Sequence, residues 1–298
     1  MSEETPTGSP VQWLQNAVFR TALAGLHRLP YPRRVAMMGS LTRRAIAPAA
    51  GWRKRAMDQI AWIEPDLPLD AVRSRANAVA DNTGRTLMEL YSPQDFPARM
   101  AEEAPTGAGL DAIEDARQAG RPVLFITGHF GNHEAPRHAL IARGYQIGGL
   151  YRPMKNPYFN DHYARTMTDH GGPVFAQGRK GTMGFLRHLS AGGMATLLFD
   201  VWVGEGTLID FLGKPAPTSL AAAEFALRSD ALLVPYFGTR RADGLTFDVE
   251  IEAPIPHSDP LTMMQEATAR LEARIRRTPE QWFWTHRRWK PERQVPTE

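Results

Sequence analysis

Val123-Leu-Phe-Ile-Thr-Gly-His129-Phe-Gly-Asn-His-Glu134 begins as an apolar run, stops at a glycine and delivers a histidine. Val123 to Ile126 are β-branched, aliphatic or aromatic, with Gly120 and Pro122 before them and Gly128 after. That composition predicts a short buried strand rather than a helix. Ala135 to Arg143 then reads as a helix, with Pro136 in its first turn, where a missing N–H costs nothing, and Gly144 as a C-terminal cap. His129 therefore falls in a strand-to-helix turn at the carboxyl end of a strand, the edge at which open α/β sheets bind ligands.

The same alternation continues on both sides of this stretch. Strands are predicted at 123–127, 145–150, 173–175, 194–199 and 232–237, with helices at 135–143, 157–168, 182–189 and 218–228 between them and a long loop running to 217. After the Ala242-Asp243-Gly244 turn, Leu245, Phe247, Val249 and Ile251 alternate with polar neighbours, the pattern of an antiparallel edge strand paired with 232–237. A last helix is predicted at 260–277. The expected fold is α/β, a mostly parallel central sheet flanked by helices. Towards the N-terminus, helical periods at 11–29, 33–46, 52–63 and 69–91 are separated by Pro30, Pro32, Pro48 and the Pro65–Pro68 turn. The organisation read from these patterns is a disordered tail at 1–10, a helical basic region at 11–100 and an α/β catalytic core at 101–298.

At 298 residues and 43% hydrophobic content the chain can bury a substantial core. It contains no cysteine, which rules out disulfides, a thiolate nucleophile and a cysteine metal site. No apolar run reaches the ~18 residues of a membrane span, and Met-Ser-Glu-Glu-Thr-Pro is not the start of a signal peptide, so the chain reads as soluble or membrane-surface. The net charge of +3 hides an asymmetry: Arg20, Arg28, Arg33, Arg34, Arg43, Arg44, Arg53, Lys54 and Arg55 lie between Val11 and Met57, with no acid among them. Interleaved with Trp13, Leu14, Val18, Phe19 and Leu23, they make the pattern of an interfacial helix on anionic lipid. A helical arm packed on the main domain with a solvated basic face fits it as well. A nucleic-acid partner is not expected, since the arginines come with large apolar residues and no nucleic-acid motif.

His129 and Glu134 would stand roughly 140° apart on a continuous helix, but a turn can bring them together. A carboxylate that holds an imidazole is the general-base half of a catalytic triad. With no cysteine and no Gly-x-Ser-x-Gly elbow, the attacking group comes from substrate or water, which points to direct transfer. A metal cluster of His129, His133, Glu134 and His138, serving a metal-dependent hydrolase, is the rival reading. Its spacing, His133-Glu134-x-x-x-His138, is one residue too long for one helix face, and Pro136 interrupts it, so no metal is expected. The plainest alternative makes His129 a hydrogen-bonded turn residue and Glu134 an acid favoured at a helix N-terminus.

Gly128-His129-Phe130-Gly131-Asn132-His133-Glu134 resembles the His-x4-Glu block of the bacterial lipid A biosynthesis acyltransferases, within the lysophospholipid acyltransferase superfamily. Further blocks follow in order: Tyr151-Arg152-Pro153-Met154, Gly178-Arg179-Lys180-Gly181, Leu197-Leu198-Phe199-Asp200, Leu233-Val234-Pro235-Tyr236, and a closing segment from Pro279-Glu280-Gln281-Trp282 to His286-Arg287-Arg288-Trp289. The resemblance implies transfer of a fatty acyl chain, of lauroyl or myristoyl type, from an acyl-carrier-protein thioester to a hydroxyl of a lipid A precursor. It also implies a site at the cytoplasmic face of the inner membrane and no cofactor. His129 would be the base and Glu134 its orienting acid. Arg152, Arg179 and Lys180 would bind phosphate or headgroup, and Asp200 would position the acceptor or Arg152. Arg287 and Arg288 would anchor the sheet edge or touch lipid phosphate.

This chain departs from the family pattern at four places. His133 stands where the family has Trp, and Asp200 is followed by Val201-Trp202 instead of Gln. Gly204-Glu205-Gly206-Thr207 is similar to a block of the glycerophospholipid branch, so another glycolipid or a lysophospholipid is the alternative acceptor. A basic amphipathic arm replaces the usual N-terminal membrane span, which implies peripheral or monotopic attachment. A membrane lipid-binding protein without catalysis is the reading from outside the enzyme class.

Overall fold

The computed structural model describes residues 7–169 and 171–290, so the expected tail at 1–10 lies mostly outside the described residues. In chain order the elements begin with α1 (Pro10–His27), α2 (Tyr31–Leu41), a π-helical turn (Thr42–Ile46) that runs into α3 (Ala47–Ala49), α4 (Trp52–Ile63) and α5 (Leu69–Leu90). They continue with α6 (Asp95–Glu102), α7 (Leu110–Ala119), β1 (Val123–Thr127), α8 (Ala135–Ile141), β2 (Ile147–Tyr151), α9 (Pro157–Asp169), β3 (Val174–Ala176), α10 (Arg179–Ser190) and β4 (Met194–Leu198). The rest are β5 (Thr207–Phe211), β6 (Lys214–Thr218), α11 (Ala221–Ser229), β7 (Leu232–Arg240), β8 (Phe247–Ile251), α12 (Pro260–Arg277) and a short 3-10 turn (Pro279–Gln281).

The sheet order is β3-β2-β4-β1-β7-β8, parallel throughout except for β8, which pairs antiparallel with β7 as the alternation after Gly244 predicts. All five residues of β1 are buried, because this central strand is covered on both faces. Val123 and Phe125 join Met38, Met88, Phe96 and Tyr236 on one side, while Leu124 and Ile126 join Phe185, Ala223, Met264 and Leu271 on the other. The helical region thus shares its core with the sheet. Gly84 allows the closest approach, since a Cβ there would collide with the Thr42 hydroxyl and the Met38 carbonyl.

Two differences from the sequence reading stand out. The expected loop before 217 contains the antiparallel ribbon β5–β6, and α6 and α7 fill the stretch before β1. The ribbon lies on α12, where Gln265 donates to the Asp210 carbonyl (3.1 Å) and Glu272 accepts from the Leu212 amide (2.7 Å).

Candidate active site

β1 and β4 are neighbours in register, Thr127 beside Leu198, so the residues that follow them meet at the carboxyl edge of the sheet. There the Asp200 carboxylate receives the His129 backbone amide at Oδ2 (2.7 Å) and faces His129 Nδ1 with Oδ1 (2.8 Å). The Trp282 indole N–H donates to Oδ2 (2.9 Å). Asp200 is buried, whereas His129 keeps 32% of its side chain open. With Nδ1–H turned to the carboxylate, Nε2 is the free base. Burial opposes a charge on His129, but Asp200 outweighs it and raises the imidazole above its ordinary value. Burial would likewise raise the Asp200 carboxyl; His129 and Trp282 overcome this and hold it well below the usual carboxylate range.

This corrects the partner expected for His129. Among the described residues, the carboxylate bonded to its ring is that of Asp200, 71 residues away, and not that of Glu134. Glu134 is buried and accepts from Arg137 Nη1 (3.1 Å), one turn along α8, while Arg137 also donates to the carbonyls of Ile147 (3.0 Å) and Gly171 (2.6 Å). The cause lies in the turn. Gly131 takes φ 55°, where a Cβ would collide with the Gly238 carbonyl, and the chain reverses so that Glu134 arrives as the residue before α8. Its acid is spent on locking α8 to β2. Asp200 is likewise not committed to Arg152 but to His129.

Arg152 follows β2, and Arg179 and Lys180 open α10 after β3, so all three sit on the same edge as His129 and Asp200 with their side chains exposed. Arg288 is buried and donates to the Pro217 carbonyl and the Thr218 hydroxyl beside the Trp282–Trp284–Trp289 cluster; Arg287 and Glu205 are exposed. His138 is buried with its ring edge-on to Phe96. Among the described residues, no three His, Asp or Glu side chains converge as metal ligands would.

A buried polar network, not foreseen in the sequence, fixes the turn. Glu89 is fully buried and accepts from Asn132 Nδ2 (2.8 Å) and from both terminal guanidinium nitrogens of Arg240, Nη1 and, at 2.8 Å, Nη2. Arg240 Nε donates to Asn82 Oδ1 (2.8 Å), and Asn82 Nδ2 and the Thr86 hydroxyl each donate to the Gly131 carbonyl (3.1 Å). Nothing in the sequence singled it out, since Glu89 is one of several charges on α5 and Arg240 ends β7 beside Arg241.

Above His129 opens a groove of about 210 Å³ walled by Ile46, Trp52, Leu87, Leu90, Trp282 and Phe283. His129 stacks on Phe283 (centroids 5.5 Å) and faces the His133 ring at 5.4 Å, tilted by 56°. Burial, then the neighbouring His129, push the His133 ring down to about 4, so it is neutral near pH 7. An oriented imidazole base at the mouth of an apolar groove can deprotonate a hydroxyl delivered beside a long-chain acyl group.

The model of the family described as bacterial lipid A biosynthesis acyltransferase matches residues 5–291. The chain is similar to a lipid A biosynthesis acyltransferase of Haemophilus influenzae, 26% identical over 59% of this chain and 56% of that protein. It also resembles a lipid A biosynthesis lauroyltransferase of Escherichia coli (26%, over 70% of each chain) and a lipid A biosynthesis acyltransferase 2 of Shigella flexneri (21%, over 66% of this chain and 63% of that protein). The matched part thus spans little more than half of the first relative.

Proposed function

The chain belongs to the bacterial lipid A biosynthesis acyltransferase family, and from that premise we propose that it moves a fatty acyl chain from an acyl-carrier-protein thioester to a hydroxyl of a lipid A precursor. The observation that carries this reading is the His129–Asp200 pair set beneath an apolar groove. His129 Nε2 takes the acceptor's proton, and Asp200 holds the ring tautomer and stabilises the imidazolium. The oxygen attacks the thioester carbon; as the adduct collapses the C–S bond breaks, and His129 returns its proton to the sulfur. The groove takes the acyl chain, of lauroyl or myristoyl type, and the exposed Arg152, Arg179 and Lys180 take an acceptor phosphate. Glu134 supports the site by fixing α8. The block at Gly204-Glu205-Gly206-Thr207 favours a second acceptor class, a lysophospholipid or another glycolipid.

The reaction is placed at the cytoplasmic face of the bacterial inner membrane. No described helix is long and apolar enough to cross a membrane, and the exposed apolar face of α1 with its basic neighbours supports attachment to anionic lipid. The test is transfer from acyl-carrier-protein thioesters to a panel of lipid acceptors. His129→Ala and Asp200→Ala are expected to lose on the order of a hundredfold or more. Preference for lysophospholipids would reassign the acceptor, and no transfer to any acceptor would favour a non-catalytic lipid-binding protein.

A further inference from the structure

Attack on a thioester turns its carbonyl oxygen into an oxyanion, and a site that accelerates the step needs a donor aimed at it. In a strand-to-helix turn the backbone amides usually serve, but here six of them are spent. The His129 amide goes to Asp200, Phe130 to the Gly128 carbonyl, Gly131 to Gln281, Asn132 to Gly238, Glu134 to Asn132 Oδ1 and Ala135 to the Asn132 carbonyl. Four polar side chains along the groove are committed too. Asn82 and Thr86 donate to the Gly131 carbonyl, Thr83 to Val79, and Gln281 to the Arg240 carbonyl. Thr42 carries a hydroxyl sealed off from the groove.

The His133 ring is the uncommitted polar side chain that faces His129. It is half-buried and lines the groove at 5.4 Å from His129 between centroids, and no hydrogen bond to it is found among the described residues. Both rings border the same part of the groove, so a carbonyl lying there can have its carbon approached by an oxygen on His129 while its own oxygen meets His133. A neutral imidazole suits the task, because it donates one N–H without placing a second cation beside the imidazolium that His129 becomes.

Resting on the acyl-transfer reading above, we propose that His133 is a further catalytic residue, whose ring N–H donates to the thioester carbonyl oxygen. As the O–C bond forms, the carbonyl π pair moves onto that oxygen and is held by His133, while the proton leaves with His129. As the pair returns, the C–S bond breaks and the sulfur takes the proton from His129. Nothing else enters or leaves.

The test compares the native chain with His133→Phe, which keeps an apolar ring and removes the donor, and His133→Gln, which restores an N–H. His133→Phe is expected to lower kcat about a hundredfold, the low end for losing one such donor because the groove is open, with the donor KM within about threefold and the His129 limb of the pH profile in place. His133→Gln is expected to recover most of the loss. Infrared spectra of a bound acyl-carrier-protein thioester labelled with 13C at its carbonyl supply a readout without turnover. The carbonyl band should fall to lower frequency in the native and Gln proteins and not in the Phe protein. A Phe variant that keeps kcat within about twofold, or a carbonyl band alike in all three, overturns the proposal. A lowered band without transfer would instead defeat the acyl-transfer reading and leave the contact standing.

Discussion

At the scale of single residues, the imidazole–carboxylate pair is divided between two strand ends: His129 follows β1 and Asp200, which holds its ring, follows β4. His129 titrates above its ordinary value because Asp200 outweighs burial. A base works only when neutral, so the rising limb of the kcat–pH profile lies above pH ~6.5. Asp200→Asn removes the charge that favours the imidazolium, so the limb moves to lower pH while kcat falls on the order of a hundredfold or more for want of the right tautomer. A limb that stays in place, measured by kcat across pH 5 to 9, would remove Asp200 from this role. Glu134→Ala should behave oppositely. It strands Arg137 in the core at a cost of about 3 kcal/mol in urea unfolding, while the midpoint of the limb does not move. The sequence made His129 legible because a glycine-stopped strand displays it. It pointed to the wrong acid because Glu134 is near in the chain, whereas the pairing with Asp200 exists only once β4 lies beside β1.

At the scale of elements, the turn that carries His129 is held from behind by α5 and β7. Glu89 and Arg240 meet across 151 residues, and between them they fix Asn132, Asn82 and the Gly131 carbonyl. Glu89→Ala leaves a buried guanidinium without its carboxylate, and breaking such a pair costs about 3–5 kcal/mol. Denaturant unfolding should show that loss, and Glu89→Ala with Arg240→Met should be less unstable than Glu89→Ala alone. If the double variant loses the sum of the two single effects, the pair is not coupled. Elements with a clean period were readable: α4 and α12 match their predicted spans, and β1 follows from its glycine and proline borders. The β5–β6 ribbon was not, because Pro215 and Pro217 read as loop. In a two-stranded ribbon both fall two apart on one strand, where the missing N–H can face outward. Helix α6 hid behind Pro97 in its first turn, and α7 begins without a capping side chain.

At the scale of the molecule, α1 has two apolar faces. Leu23, with Phe19 and Leu26 beside it, packs into the core, while Val11, Leu14 and Val18, spaced by three and four residues, stay 57–64% exposed. Met37 and Leu41 extend the exposed apolar surface on α2, and Arg20, Arg28, Arg33 and Arg44 are exposed in the same region of the chain. Ordinary solvation of a basic arm accounts for the arginines but not for an apolar stripe left open along two turns of helix; a bilayer surface accounts for both. The basic run was visible in the sequence. Which apolar residues would face outward was not, since that depends on which side of α1 the core takes. Each cation near an anionic leaflet contributes about 1 kcal/mol, so replacing Arg28, Arg33 and Arg44 together by Gln should weaken binding to anionic vesicles by about two orders of magnitude, with added salt acting in the same direction. Val11→Ser, Leu14→Ser and Val18→Ser together should weaken it whatever the salt, because the apolar contribution is not screened. Co-sedimentation with vesicles of graded anionic content checks both, and binding indifferent to anionic lipid and to the arginine changes would refute attachment through this arm.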